Sequence, residues 1–312
     1  MAARKRTPLY VISWLAALAA LLAVAYYFQM GSVSIRQFTF HKLPQPTQRY
    51  LYGDAPEQYA ELWLPDGPGP HKVVAMIHGG CWLMAINGKI LDASQLAYLA
   101  DDLRRSGYAV WNIEYRRLGV IAQAYPQMYL DIAHGLDSLR KPAKEYNLDL
   151  SDFVLVGISA GGHLASWAAA RPHLPKTSPL YIENPLSIPA LVTMAGVDDL
   201  EAYHNDHPVC SLPIMEKLVS GHAQGENPYG DTSAVSMLPL GIRQIIISGS
   251  IDLVVPSHFA TIYASKAKAA GDKVRLIEVE GADHMAFLDT ASTAWSTSKE
   301  AILSFFTKKP AP

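Results

Sequence analysis

Ser159 has a glycine two residues away on each side, in Gly157-Ile158-Ser159-Ala160-Gly161. A serine hydroxyl is a poor nucleophile near neutral pH. It reacts when a base takes its proton, a carboxylate orients that base, and N–H donors receive the charge on the attacked oxygen. Candidates for all three parts are present. Asp252 follows the apolar run 243–248, and His284, in Glu280-Gly281-Ala282-Asp283-His284, follows the run 274–279. Asp283 is a poor rival to Asp252 as orienting carboxylate, because adjacent residues point in different directions. Gly79, Gly80 and Cys81, in His78-Gly79-Gly80-Cys81-Trp82, end a third apolar run. Small residues there let backbone N–H groups approach a bound oxygen closely. Together with the N–H of Ala160 they would form an oxyanion hole.

Each residue alone has a plainer reading: a glycine-rich turn, a helix cap, a histidine in a surface loop. What raises the chemical reading is position, since each candidate directly follows an expected strand. The apolar run 153–158 before Ser159 and the alanine-rich segment after it read as strand, sharp turn and helix, the spacing of a nucleophile elbow. Further strands are expected at 58–65, 72–78, 108–114, 190–195, 243–248 and 274–279. Helices are expected at 93–105, 126–141, 256–270 and 294–306. Strands alternating with helices imply a mostly parallel α/β sheet covered on both faces. Such sheets bind ligands at the carboxyl ends of their strands. The segment 197–240 is too long for an ordinary connection and reads as a cap-like insertion.

The chain has 312 residues, half of them hydrophobic, and a net charge of −2, which argues against a nucleic-acid partner. Arg4, Lys5 and Arg6 precede an uncharged stretch from Leu9 to Phe28. Its length of about 20 residues suits a transmembrane helix. A signal peptide cleaved after Ala25 is the competing reading, in Ala23-Val24-Ala25. Either sends the rest of the chain out of the cytoplasm, as a membrane-anchored or as a secreted or periplasmic protein. Residues 1–28 are thus the anchor or signal, 29–48 a proline-containing tether, and 49–312 the catalytic domain.

Two cysteines, Cys81 and Cys210, allow one disulfide. A bridge would tie the glycine loop to the insertion, but residues so far apart in sequence give it no geometric support, and pairing is the lesser reading. His204, Asp206, His207 and Cys210 imitate a metal cluster but sit in an irregular loop and read as pocket wall. Neither nucleotide-binding glycine motif follows the strand at 72–78.

The set His78-Gly79-Gly80-Cys81-Trp82, Glu114-Tyr115-Arg116-Arg117-Leu118-Gly119, Gly157-Ile158-Ser159-Ala160-Gly161-Gly162-His163, Asp252 before Val255-Pro256, and Gly281-Ala282-Asp283-His284 resembles the α/β-hydrolase superfamily. Within it the chain is similar to the kynurenine formamidase and carboxylesterase branch, which includes feruloyl and acetyl xylan esterases. The resemblance implies an α/β-hydrolase fold and a triad of Ser159, Asp252 and His284 that acts on a small-molecule ester without a metal or organic cofactor. It leaves an arylformamidase-type amide hydrolase as the alternative and a catalytically dead binding module as a remote one. Trp82, Tyr115 and His163 are expected at the substrate pocket, His163 as a group behind Ser159. Oligomeric state is not legible.

Overall fold

The computed structural model describes residues 43–307, apart from 87, 207, 208, 211, 223 and 224. The expected anchor or signal at 1–28, most of the tether, and His207 lie outside the described residues.

Eight strands form the main sheet: β1 (Gln48–Leu51), β2 (Tyr59–Trp63), β3 (His71–Ile77), β6 (Ala109–Ile113), β7 (Leu148–Ile158), β8 (Ala190–Met194), β9 (Arg243–Gly249) and β10 (Lys273–Val279). A two-residue hairpin, β4 (Ala85–Ile86) and β5 (Lys89–Ile90), stands apart. The sheet order is β1-β2-β6-β3-β7-β8-β9-β10. Pairing is parallel from β6 to β10 and antiparallel for β1 with β2 and β2 with β6. β3, β6, β8 and the second half of β7 are almost entirely buried, as expected of strands covered on both faces.

Helices supply the cover: α1 (Ala97–Arg105), α2 (Gln127–Asp137), α3 (Arg140–Glu145), α4 (Ala160–Ala170), α5 (Leu200–Asn205), α6 (Leu212–Val219), α7 (Ser257–Ala269) and α8 (Thr293–Leu303). In α1 the residues Ala97, Leu99, Ala100 and Leu103 point inward, and Arg104 and Arg105 fall in the last turn. That places positive charge at the negative end of the helix dipole. α4 differs: every one of its residues is buried. It runs beneath the elbow between sheet and insertion, which is why its sequence is mostly small and apolar, with His163, Ser166 and Trp167 as the exceptions.

Two expected elements divide in the structure. The helix at 93–105 begins as a 3₁₀ turn, Ala93–Leu96, before α1. The helix at 126–141 stops at Asp137, and α3 starts a separate turn at Arg140. The insertion at 197–240 holds α5, α6 and a 3₁₀ turn, Ala234–Met237. Among the described residues no helix is long and apolar enough to cross a membrane.

Candidate active site

Ser159 lies between β7 and α4 with φ +55°, a left-handed conformation that costs a non-glycine residue roughly 1–3 kcal/mol. Three backbone hydrogen bonds hold it there. Its N–H donates to Met194 O at 3.0 Å, and its carbonyl accepts from Gly162 N at 2.8 Å and Val197 N at 3.2 Å. The flanking glycines are required by close approach. A Cβ at Gly161 would stand 2.2 Å from Ile77 O, and one at Gly157 would stand 2.2 Å from Gly161 O. The turn therefore closes directly against the end of β3.

The Ser159 hydroxyl is within 2.9 Å of His284 Nε2, and His284 Nδ1 lies 2.7 Å from Asp252 Oδ2. With Nδ1–H donating to the carboxylate, Nε2 is left as the acceptor for the serine proton. Asp252 is itself held, since its Oδ1 accepts from Val254 N at 2.8 Å and Val255 N at 2.9 Å. All three residues follow strand ends, from β7, β9 and β10, as their order in the chain required. Asp283 turns the other way and caps the short helix His284–Leu288, accepting from Met285 N and Ala286 N.

The glycine loop meets this group from the end of β3. A Cβ at Gly79 would come within 2.9 Å of Ser159 Cβ, so this backbone passes directly beside Ser159. Gly80, Cys81 and Trp82 have φ of +110°, +50° and +57°. This run turns the loop around the Ser159 side of the sheet. The first N–H groups of α4, beginning with Ala160, have no carbonyl to bond within the helix. They supply partial positive charge from the other side.

Trp82, Tyr115 and His163 do not line an open pocket: all three are fully buried. The Tyr115 hydroxyl donates to His78 O at 3.0 Å, its phenol held protonated by burial. Trp82 Nε1–H donates to His163 Nδ1 at 3.2 Å, while His163 Nε2–H donates to Thr232 O at 2.8 Å. Burial pushes the His163 pKa down to about 4, so the ring is neutral and its tautomer is set by these two partners. All three thus make supporting contacts among the glycine loop, α4 and the insertion.

Cys81 and Cys210 are joined in a disulfide, with Cα atoms 5.4 Å apart, against the lesser weight given to pairing. Sequence separation said nothing about proximity because both the glycine loop and the insertion rise from the same edge of the sheet. Of the remaining residues of the imagined metal cluster that are described, His204 bonds to the Tyr229 hydroxyl and Asp206 pairs with His258 at 3.1 Å.

Two groups that sequence reasoning left without a role stand close by. Glu114, fully buried, accepts from Ala93 N at 2.7 Å and Tyr115 N at 2.9 Å, and pairs with Arg117 at 2.9 Å and His78 at 3.3 Å. This buried charge cluster ties the loop after β6 to His78 at the foot of the glycine loop. Its only sequence signal was two charges, Glu114 and Arg117, around a strand end. Asp198, also fully buried, accepts from Thr193 Oγ1 at 2.9 Å in the turn whose Val197 N–H holds Ser159 O. Burial, reinforced by neighbouring Asp199, raises its pKa to about 7.

The sheet order, the helices on both faces and the serine–histidine–aspartate group at the strand ends define an α/β-hydrolase fold. The chain belongs to the BD-FAE family, whose model matches residues 61–266, about two thirds of its length. Among curated proteins it is 25% identical over 281 residues to the probable isoprenylcysteine alpha-carbonyl methylesterase ICME of Oryza sativa subsp. japonica, covering 87% of this chain and 65% of that protein. It is 26% identical over 258 residues to esterase LipC of Mycobacterium tuberculosis, covering 79% and 61%. The chain thus spans less than two thirds of the length of these relatives. Among solved structures, Thermogutta terrifontis esterase 2 phosphonylated by sarin superposes with a TM-score of 0.68 at 20% identity, over 85% of this chain and 95% of that one. Its propionate-bound form gives 0.67 at 20% identity, over 87% and 98%.

Proposed function

We propose that this chain is a serine carboxylic ester hydrolase acting on a small acyl ester. The observation that carries the reading is the 2.9 Å contact of Ser159 Oγ with His284 Nε2, backed by Asp252 at 2.7 Å. Ser159 Oγ attacks the acyl carbon as His284 Nε2 takes its proton, and Asp252 stabilises the imidazolium. The carbonyl oxygen gains negative charge and is received by N–H groups of the Gly79–Cys81 loop and of Ala160. One such donor is typically worth about 2.7–4 kcal/mol. Collapse expels the alcohol, which leaves with the proton from His284. Water, deprotonated by the same ring, then attacks the acyl-enzyme, and the acid departs as Ser159 recovers its proton.

The esterase names of the relatives favour an ester over a formamide. A comparison of acetyl, propionyl and butyryl nitrophenyl esters with N-formylkynurenine tests this. Ester turnover should dominate, and a clear preference for the formamide would move the assignment to the arylformamidase type. A fluorophosphonate probe should label the parent and leave Ser159→Ala unlabelled. Equal labelling would remove Ser159 as the nucleophile, and no labelling of the parent would indicate a binding module.

The reading extends to location. An exported catalytic domain, anchored or released, accords with the uncharged stretch Leu9–Phe28 and with the Cys81–Cys210 bridge, since disulfides persist in oxidising compartments. Intact mass of the protein from a membrane fraction distinguishes cleavage after Ala25 from retention. A reduced, uncleaved protein found in the cytoplasm would refute export.

A further inference from the structure

The loop that carries the proposed oxyanion donors has an unusual conformation. Three consecutive residues, two of them non-glycine, have positive φ: Gly80 at +110°, Cys81 at +50° and Trp82 at +57°. L-residues leave that region readily unless the surroundings over-determine it. Part of the restraint is local: Leu83 N donates to Gly80 O, and Leu118 N donates to Trp82 O, both at 2.9 Å.

The two non-glycine side chains also reach outward, and both lines of restraint end on the insertion at 197–240. Cys81 is bonded covalently to Cys210. Trp82 Nε1–H donates to His163, whose other ring nitrogen donates to Thr232 O. The Cys210 end has a further link to the site. Tyr203 O–H approaches Cys210 Sγ at 3.7 Å and Val254 O at 3.0 Å, and Val254 N–H holds Asp252 Oδ1. The insertion thus reaches the glycine loop directly through Cys210 and indirectly through His163 of α4, and it reaches the turn of the triad carboxylate through Tyr203.

We propose that the insertion is a clamp that holds the oxyanion loop in its left-handed form, with Cys210 and His163 as positioning residues for the oxyanion hole. Neither touches substrate. Cys210 restrains Cys81 through a covalent bond, and His163 restrains Trp82 through a neutral acceptor nitrogen that burial keeps unprotonated near neutral pH. The inference rests on the ester hydrolase reading. It predicts that opening either link harms stabilisation of the transition state more than substrate binding, because the N–H donors act on charge that develops during attack.

A dithiol reductant tests the first link without changing any residue. Its thiolate attacks one sulfur of the bridge, the second thiolate displaces that mixed disulfide, and the reductant leaves as a cyclic disulfide with Cys81 and Cys210 as thiols. With two thiols titrated, kcat on a nitrophenyl ester should fall at least about tenfold while KM stays within about threefold, and reoxidation should restore it. The variant Cys81→Ala/Cys210→Ala should show the same split should the bridge resist the reductant.

For the second link, His163→Leu and Trp82→Phe should each give a kcat-dominated loss. His163→Asn, whose Oδ1 can stand in for Nδ1 as acceptor, should recover part of it. Circular dichroism at the assay temperature separates this from unfolding. A reduced enzyme or double-alanine variant with parental kcat would overturn the clamp, as would a His163→Asn variant no better than His163→Leu. An inactive parent would instead overturn the hydrolase reading.

Discussion

Replacing Asp198 by asparagine should make the protein more stable at high pH, and the gain should itself depend on pH. The carboxyl is fully buried, Oδ2 accepts from Thr193, and Oδ1 has no hydrogen-bond partner among the described residues. Burial raises its pKa from 3.8 to about 7, so between those values the folded chain keeps a proton that the unfolded chain has released. Stability must therefore fall as pH rises through this window and level off above about 7. Each pH unit crossed costs about 1.4 kcal/mol, so the rise from pH 5 to pH 7 removes roughly 2–3 kcal/mol.

The amide introduced by Asp198→Asn does not titrate, and its oxygen can still accept from Thr193. The stability of the variant relative to the parent should then grow by about 3 kcal/mol between pH 5 and pH 8. Buried His163 contributes the opposite slope: its folded pKa of about 4 lies below the ordinary 6.5, so stability rises with pH across that interval. Because both proteins carry His163, its slope cancels in the difference. Urea unfolding of parent and variant at pH 5 and pH 8, with matching slopes in denaturant, measures the quantity. An unchanged difference at the two pH values would refute the argument that Asp198 is held neutral by burial.

Other substitutions separate the supporting contacts. Gly161→Ala puts a methyl 2.2 Å from Ile77 O and should lower kcat by about 10²-fold or more through a displaced elbow, read on any ester substrate. Asp252→Asn should lower turnover by up to about 10⁴-fold. Asp283→Ala should cost about 1 kcal/mol in thermal or urea unfolding, as loss of a helix cap, with kcat within about tenfold of the parent. Asp131 accepts from Gln58, from the Arg116 backbone and from the Arg116 guanidinium at 2.7–3.0 Å while fully buried. Arg116 is partly exposed and can be hydrated, so Asp131→Ala should destabilise by about 1–3 kcal/mol, seen as a lower urea midpoint.

The strands that build the site were legible because buried parallel strands are short unbroken apolar runs between turn residues, a local signal. The elbow was legible for a similar reason, since its glycines answer to backbone collisions within a few residues of Ser159. The members of the Ser159, Asp252 and His284 group could be chosen because strand ends are few and the chain visits them in order. The split of 126–141 into α2 and α3 was missed because the break at Ser138 and Leu139 carries no glycine or proline; Pro142 lies within α3, after the break.

Side-chain direction and remote proximity belonged to tertiary structure. Trp82 was drawn to the pocket by nearness in sequence to the glycine loop, Tyr115 by the family resemblance, and His163 to the back of Ser159 by its place one helical turn further on. Whether an aromatic ring faces substrate or the interior depends on elements packed behind it, here α4 and the insertion. Asp198 looked like one of several polar loop residues until folding buried it beside Thr193 of β8 and near Tyr263 of α7, and only that burial moves its proton. The Cys81–Cys210 bridge makes the same point over 129 residues of chain. Residue types and their order pointed to the proposed chemistry, because whether a side chain can serve as nucleophile, base or orienting carboxylate is a local property. Packing decided which groups hold those residues in place, because burial and contact arise only when distant segments share one edge of the sheet.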